Sequence, residues 1–142
     1  IDELVEIGLR ALSPGINDPF TAVTAVHWLG AATAELARRN LTRSFAEEGE
    51  EPHLVPLDDD FEHYLARGFG AMRSGVATNR IATLVMFDAL VDATTTLDDE
   101  TRRAAIRREG ERLVRQAREH LAGPELLAVE ARFQIFRNAV QR

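Results

Sequence analysis

ALSPGINDPFTA, residues 11–22, holds a helix end, a turn and a helix start within one short run. Pro14 pushes Ser13 out of the helical region. Gly15 admits a positive φ for the turn. Asp18 is a good N-cap, and Pro19 suits the first helical position, where a missing N–H costs nothing. Upstream, Leu4, Val5, Leu9 and Leu12 recur at helical spacing, with Ile7 and Ala11 widening the face, which predicts a helix over 1–12. Downstream, Val23, Val26, Leu29, Ala32 and Leu36 predict a second helix to about Asn40, with Arg38 and Arg39 placed well for its negative end.

The helical pattern breaks over residues 41–60, which hold Gly49, Pro52, Pro56 and four glutamates, Glu47, Glu48, Glu50 and Glu51. This reads as an acidic excursion, a short loop or a β-hairpin pairing 43–46 with 53–57. Helical spacing returns over 61–73, although Gly68 and Gly70 each cost a helix interior about 1 kcal/mol relative to alanine. Residues 77–95 are apolar nearly all round, the mark of a centrally buried helix. Asp98 or Asp99 then caps a helix running to about Leu121. Its narrow stripe of Ile106, Leu113, Ala117 and Leu121 predicts packing on the outside. Gly123-Pro124 breaks the chain before a last helix over 124–140. The expectation is one all-α domain over 1–142, a bundle of about six helices with the excursion between helices 2 and 3.

Composition removes whole classes of chemistry. Among the 142 residues there is no cysteine, and all 17 basic residues are arginine. Thiol nucleophiles, cysteine-based zinc sites, disulfides, Schiff-base lysines and Walker A loops are excluded. A net charge of −6 argues against nucleic acid as a partner. No apolar run reaches the ~18 residues of a membrane span. The nearest, Phe20–Ala34, is interrupted by His27. The isoleucine start reads as a fragment of a longer chain.

Four groups of residues are candidate sites. Ser13, Gly15, Asn17, Asp18 and Thr21 cluster at the positive end of the second helix and suit an ion, an anion or a partner's backbone. Capping and turn chemistry account for the same residue types. Asp88 and Asp92 lie four apart on the most apolar helix. They read as an acid–base or metal-binding pair, or, as the favoured reading, as members of a buried polar network with Arg10, Arg80 or Arg73. His27 lies nine residues beyond Asp18 and so points roughly opposite it on one helix. Asp58, Asp59, Asp60, Glu62 and His63 have metal-ligand types without EF-hand spacing. No metal ligand, catalytic residue or cofactor is assigned. Arg102, Arg103, Arg107, Arg108, Arg112, Arg115 and Arg118 form a basic stretch. With Glu109, Glu111 and Glu119 interleaved, it reads first as a salt-bridged face and second as a surface for anionic lipid.

LRALSPGINDPFTA, residues 9–22, resembles a stretch in a bacterial family of predicted multi-pass membrane proteins of unknown function. The order that follows is similar too: a long helix, an acidic excursion ending in Val55-Pro56, then further helices. The membrane spans of that family lie upstream of this region. The resemblance therefore implies a soluble C-terminal domain of a cell-membrane protein; the cytoplasmic side is a separate expectation. Its expected partners are the protein's own membrane-spanning region and further copies of itself. The role implied is oligomerisation, or regulation of a channel-like or transporter-like membrane part, and no activity comes with it. The alternatives from the residues themselves are a metal-dependent hydrolase using Asp88 and Asp92 with His27 or Asp18, and a lipid-binding module using Arg102, Arg107, Arg108, Arg112 and Arg115.

Overall fold

In a computed structural model, which describes residues 1–39, 41, 61–95 and 97–141, helix α1 (Asp2–Ala11) turns into α2 (Pro19–Arg38) through the predicted corner. Asp18 caps α2 and Pro19 opens it, as its sequence position requires. The positive φ in the turn falls on Asn17, at 48°, and not on Gly15. Asparagine is among the few non-glycine residues that enter the left-handed region readily. Asn17→Ala is therefore expected to lower stability by about 1 kcal/mol while Asn17→Gly is neutral. Gly15→Ala is expected to be neutral or slightly stabilising, since an added Cβ there meets nothing within 4 Å. Denaturant melts of the three variants check this ordering.

The next helical body runs through α3 (Phe61–Leu65), a π-helical turn (Ala66–Gly70) and α4 (Ala71–Val76). Phe61, Leu65 and Phe69 are spaced by fours, and all three are buried. An ideal α-helix would rotate residues four apart by about 40° each time, so the wider π turn keeps them facing one core. Gly68 sits in that turn because α2 crosses it closely: a Cβ there would lie 2.8 Å from Leu29 Cδ1.

Helix α5 (Arg80–Thr94) is capped by Asn79 and touches α2, α4, α6 and α7. Ala82, Met86, Phe87 and Leu90 are fully buried, as its composition predicts. Close packing on α2 rests on small residues: Gly30 faces Ala89 with room for no Cβ. Helix α6 (Glu100–His120), capped by Asp99, buries its predicted stripe, and α7 (Gly123–Val140) closes the bundle. Between α5 and α7, Phe87, Phe133 and Phe136 meet with ring centroids 5.5–6.1 Å apart. Such pairs add about 0.5–1.5 kcal/mol each beyond the area they bury.

The described residues thus form an all-α bundle of six helices, counting α3 to α4 as one, with no strand. The expected excursion falls outside the described residues except for Leu41, which packs half-buried against the core.

Candidate functional site

The α1–α2 corner spends its polar groups on itself. Ser13 Oγ donates to the Arg10 carbonyl at 2.7 Å, and the Asn17 and Ile16 amides donate to the Ser13 carbonyl. The Asp18 amide reaches back to the Ala11 carbonyl at 2.8 Å, tying the two helices together. The Asp18 carboxylate accepts from the Phe20 and Thr21 amides and, at 2.5 Å, from Thr21 Oγ1. The Thr21 hydroxyl and amide, followed by the Phe20 amide, hold Asp18 below its usual carboxylate range. Capping chemistry thus accounts for Ser13, Asp18 and Thr21 in full, and the corner fixes how α2 leaves α1.

That arrangement has a pH consequence. Asp18 is held low by Thr21, Asp2 by its bond to Arg67, and Glu35 by Arg38 and Arg39. A depressed folded-state value gives stability that is present above the ordinary values of 3.8 and 4.5 and is lost as pH falls through the folded ones. The thermal midpoint is expected to fall on acidification below about pH 4. Asp18→Asn keeps the acceptor for both amides but cannot titrate, so calorimetry of that variant should show a shallower acid drop.

The buried network expected from Arg10, Arg80, Asp88 and Asp92 is not assembled. Arg10 is exposed and pairs with Glu6 on its own helix. Asp88 is half-exposed and accepts from Arg132 Nη1 of α7 at 2.6 Å, while Asp92 is exposed. Arg80 is half-buried at the start of α5. An apolar helix packed against α2, α4, α6 and α7 still keeps one open edge, and the two aspartates lie on it. His27 is exposed, and the Asp18 carboxylate is occupied by its cap, so the proposed hydrolytic group does not converge. Among the described residues no three of His, Asp and Glu cluster as metal ligands. Asp58, Asp59 and Asp60 lie outside the described residues, and Glu62 pairs with Arg108.

The buried acid is instead Glu109, 1% exposed. Both its oxygens accept from Arg73 Nη1, at 2.5 and 2.7 Å, and Arg73 Nε donates to Gln116 at 3.0 Å. Arg112 approaches Glu109 at 3.7 Å. The pair bolts α4 to α6. Glu109, interleaved with the arginines of a salt-bridged face in the sequence, is buried instead. Its position three after Ile106 and four before Leu113 puts it on the apolar stripe, which is the signal that identifies it.

The basic stretch on α6 is largely committed. Arg102 donates to the Ala37 carbonyl and Arg103 to the Leu97 carbonyl. Arg107 reaches Glu100 and the Val140 carbonyl, Arg108 reaches Glu62, and Arg118 reaches Glu130. These guanidinium groups tie α6 to its neighbours.

The surface also leaves large apolar side chains open. Phe20 is 74% exposed and Trp28 64% exposed, both on the outer face of α2, and Ile16 stands out from the corner. Leu127 and Ile135 are exposed on α7. A separate open groove of about 710 Å³ runs over Val5, Leu9 and Ala71, rimmed by the Asp2–Arg67 and Glu6–Arg10 ion pairs. No helix among the described residues is long and apolar enough to cross a membrane.

Uncharacterized proteins of Mycobacterium tuberculosis (Rv1290c) and Mycobacterium bovis (Mb1321c) are 31% identical over 122 residues. The alignment covers 84% of this chain but only 23% of each relative, so the chain corresponds to about a quarter of their length. No solved structure matches. The family of predicted membrane proteins designated DUF2254 matches residues 1–92, from α1 into α5, and the chain belongs to that family.

Proposed function

We propose that this chain is a non-enzymatic assembly domain of a cell-membrane protein, which brings copies together and thereby sets the state of a channel-like or transporter-like membrane part. The observation that carries this reading is the pairing of membership in a predicted membrane-protein family with large apolar side chains left exposed on α2 and α7. Exposed apolar patches of this kind mark interaction surfaces. The corner from Ser13 to Thr21 serves as the rigid mount that presents Ile16 and Phe20. The domain sits on the cytoplasmic side, and its partners are its own membrane region and further copies.

The test uses a full-length family member in detergent, with and without the segment aligned to residues 1–142. The expected result is an oligomer that falls to a smaller assembly when the segment is removed. An oligomer of unchanged mass after removal contradicts the reading.

A further inference from the structure

The two apolar patches differ in the company their large side chains keep. On α7, the exposed Leu127 and Ile135 share their helix with Glu125, Glu130, Arg132 and Arg137. On α2, the stretch from Pro19 to Ala34 carries no Asp, Glu, Lys or Arg. Its exposed residues are Phe20, Thr21, Thr24, His27, Trp28 and Ala31. At about 100° and 1.5 Å per residue, Phe20 and Trp28 lie about 80° apart round the helix and about 12 Å apart along it. Both rings therefore stand out on one side of α2, with Thr24 between them.

The hydroxyls of this face are already satisfied inside the protein. Thr21 Oγ1 donates to the Asp18 carboxylate, and Thr24 Oγ1 donates to the Phe20 carbonyl at 3.0 Å. Taking either out of water leaves no hydroxyl donor unmade. His27 has an apolar ring with a polar tip, which suits a boundary between lipid and water.

We infer that this face of α2 rests on the interfacial layer of a lipid bilayer, with the helix lying in the membrane plane and Phe20 and Trp28 set among the upper acyl chains. This deepens the reading above by dividing its two patches, α2 for lipid and α7 for protein. It rests on the membrane-protein part of that reading.

Area argues against a second copy as the occupant. Phe20 and Trp28 offer about 300 Å² between them, since an aromatic side chain carries roughly 150–250 Å². A stable protein interface needs about 800 Å² per partner. A bilayer asks for less when the domain is tethered beside it. The chain matches about a quarter of the length of its relatives, in a family of predicted membrane proteins, and the remainder supplies that tether. A tether raises the effective concentration of a weak contact, and lasting attachment generally combines two such signals. The chemistry of the face agrees. Tryptophan favours the headgroup level, and a face without ions enters lipid without desolvating any. With a net charge of −6 the chain has no general attraction to anionic headgroups, so lipid without net charge is the partner to test.

The single tryptophan makes the contact readable. The 142-residue chain, carrying a terminal hexahistidine tag, is held on phosphatidylcholine vesicles by a nickel-chelating lipid, which stands in for the tether. Trp28 emission is expected to move to the blue on attachment, and phosphatidylcholine brominated in its acyl chains is expected to quench it. Trp28→Phe/Leu127→Trp moves the tryptophan to α7, where bromine is expected to have no effect. Phe20→Ala is expected to reduce the quenching of Trp28 to less than about half, because the face loses one of its two rings. Raising salt to about 0.5 M is expected to change nothing, since no ion pair makes the contact. Circular dichroism confirms folding of each variant, all three positions being exposed.

Trp28 emission that neither shifts nor responds to bromine overturns the bilayer contact. Equal quenching at both tryptophan positions does the same, because the chain then has no preferred face. Quenching that needs anionic lipid and vanishes in salt also overturns it, and moves the contact to the arginines of α6. Light scattering on the untagged chain reports the assembly claim separately. Self-association without bromine quenching overturns the bilayer contact and keeps the assembly reading. Bromine quenching of Trp28 in a strictly monomeric chain keeps the contact and overturns assembly.

Discussion

Arg73→Met is expected to destabilise the chain by about 3–5 kcal/mol, the cost of stranding a buried charge by removing its partner. The carboxylate left behind, Glu109, has a side chain only 2% exposed, and Arg73 supplies its two short hydrogen bonds. Glu109→Leu is expected to cost less, nearer about 3 kcal/mol, because the guanidinium it strands is partly solvated and keeps its bond to Gln116. The double variant Arg73→Met/Glu109→Leu should recover much of the loss, since a packed apolar pair of similar size often equals a buried ion pair. Urea unfolding of the four chains gives the coupling energy directly. Additive losses would mean that the two residues do not act as a pair.

Gly110→Ala is expected to cost about 2–3 kcal/mol even though alanine favours helices by about 1 kcal/mol. The added Cβ would lie 2.2 Å from Phe136 Cε1 and 2.4 Å from Cζ. Phe136 is 1% exposed and held against Phe87 and Phe133, so the ring has nowhere to go. Gly8→Ala makes a contact just as short, 2.2 Å, but with the terminal methyl of Met72. A flexible thioether can move aside. Gly8→Ala is therefore expected to change stability by no more than about 1 kcal/mol. Equal thermal midpoints for the two variants would show that ring confinement is not what makes Gly110 necessary. Adding Phe136→Leu to Gly110→Ala should restore part of the loss.

The elements themselves were legible because local chemistry sets them. The Ser13–Pro19 corner, the Asp18 and Asp99 caps, the break at Gly123-Pro124 and the buried role of α5 all follow from residues adjacent in the chain. What escaped the sequence depends on which element faces which. Asp88 sits on the apolar helix yet faces an open edge, where α7 offers it Arg132. Glu109 sits among arginines on a strongly charged helix yet faces α4. Both sites were within reach of the apolar stripe, which marks Glu109 as inward. Their partners lie 44 and 36 residues away and could not be chosen by spacing. The turn residue with positive φ went to Asn17 and not Gly15 because both tolerate it and the local bonds to Ser13 settle the choice. Arg102, Arg103, Arg107, Arg108 and Arg118 read as a surface because the carbonyls and glutamates they reach outside α6 are brought to them only in the folded chain.

The same limit applies to function. The membrane label comes from the family alone, while the exposed rings of Phe20 and Trp28 are visible only once α2 has buried its other faces. An uncharged stretch as long as residues 19–34 looks like core until packing leaves one side over.

The most direct test of the account is the mass of the 142-residue chain in solution. Light scattering across a wide concentration range is expected to give a mass approaching twice 15.8 kDa at the upper end and falling on dilution. A constant mass of 15.8 kDa throughout would contradict the claim that this is an assembly domain.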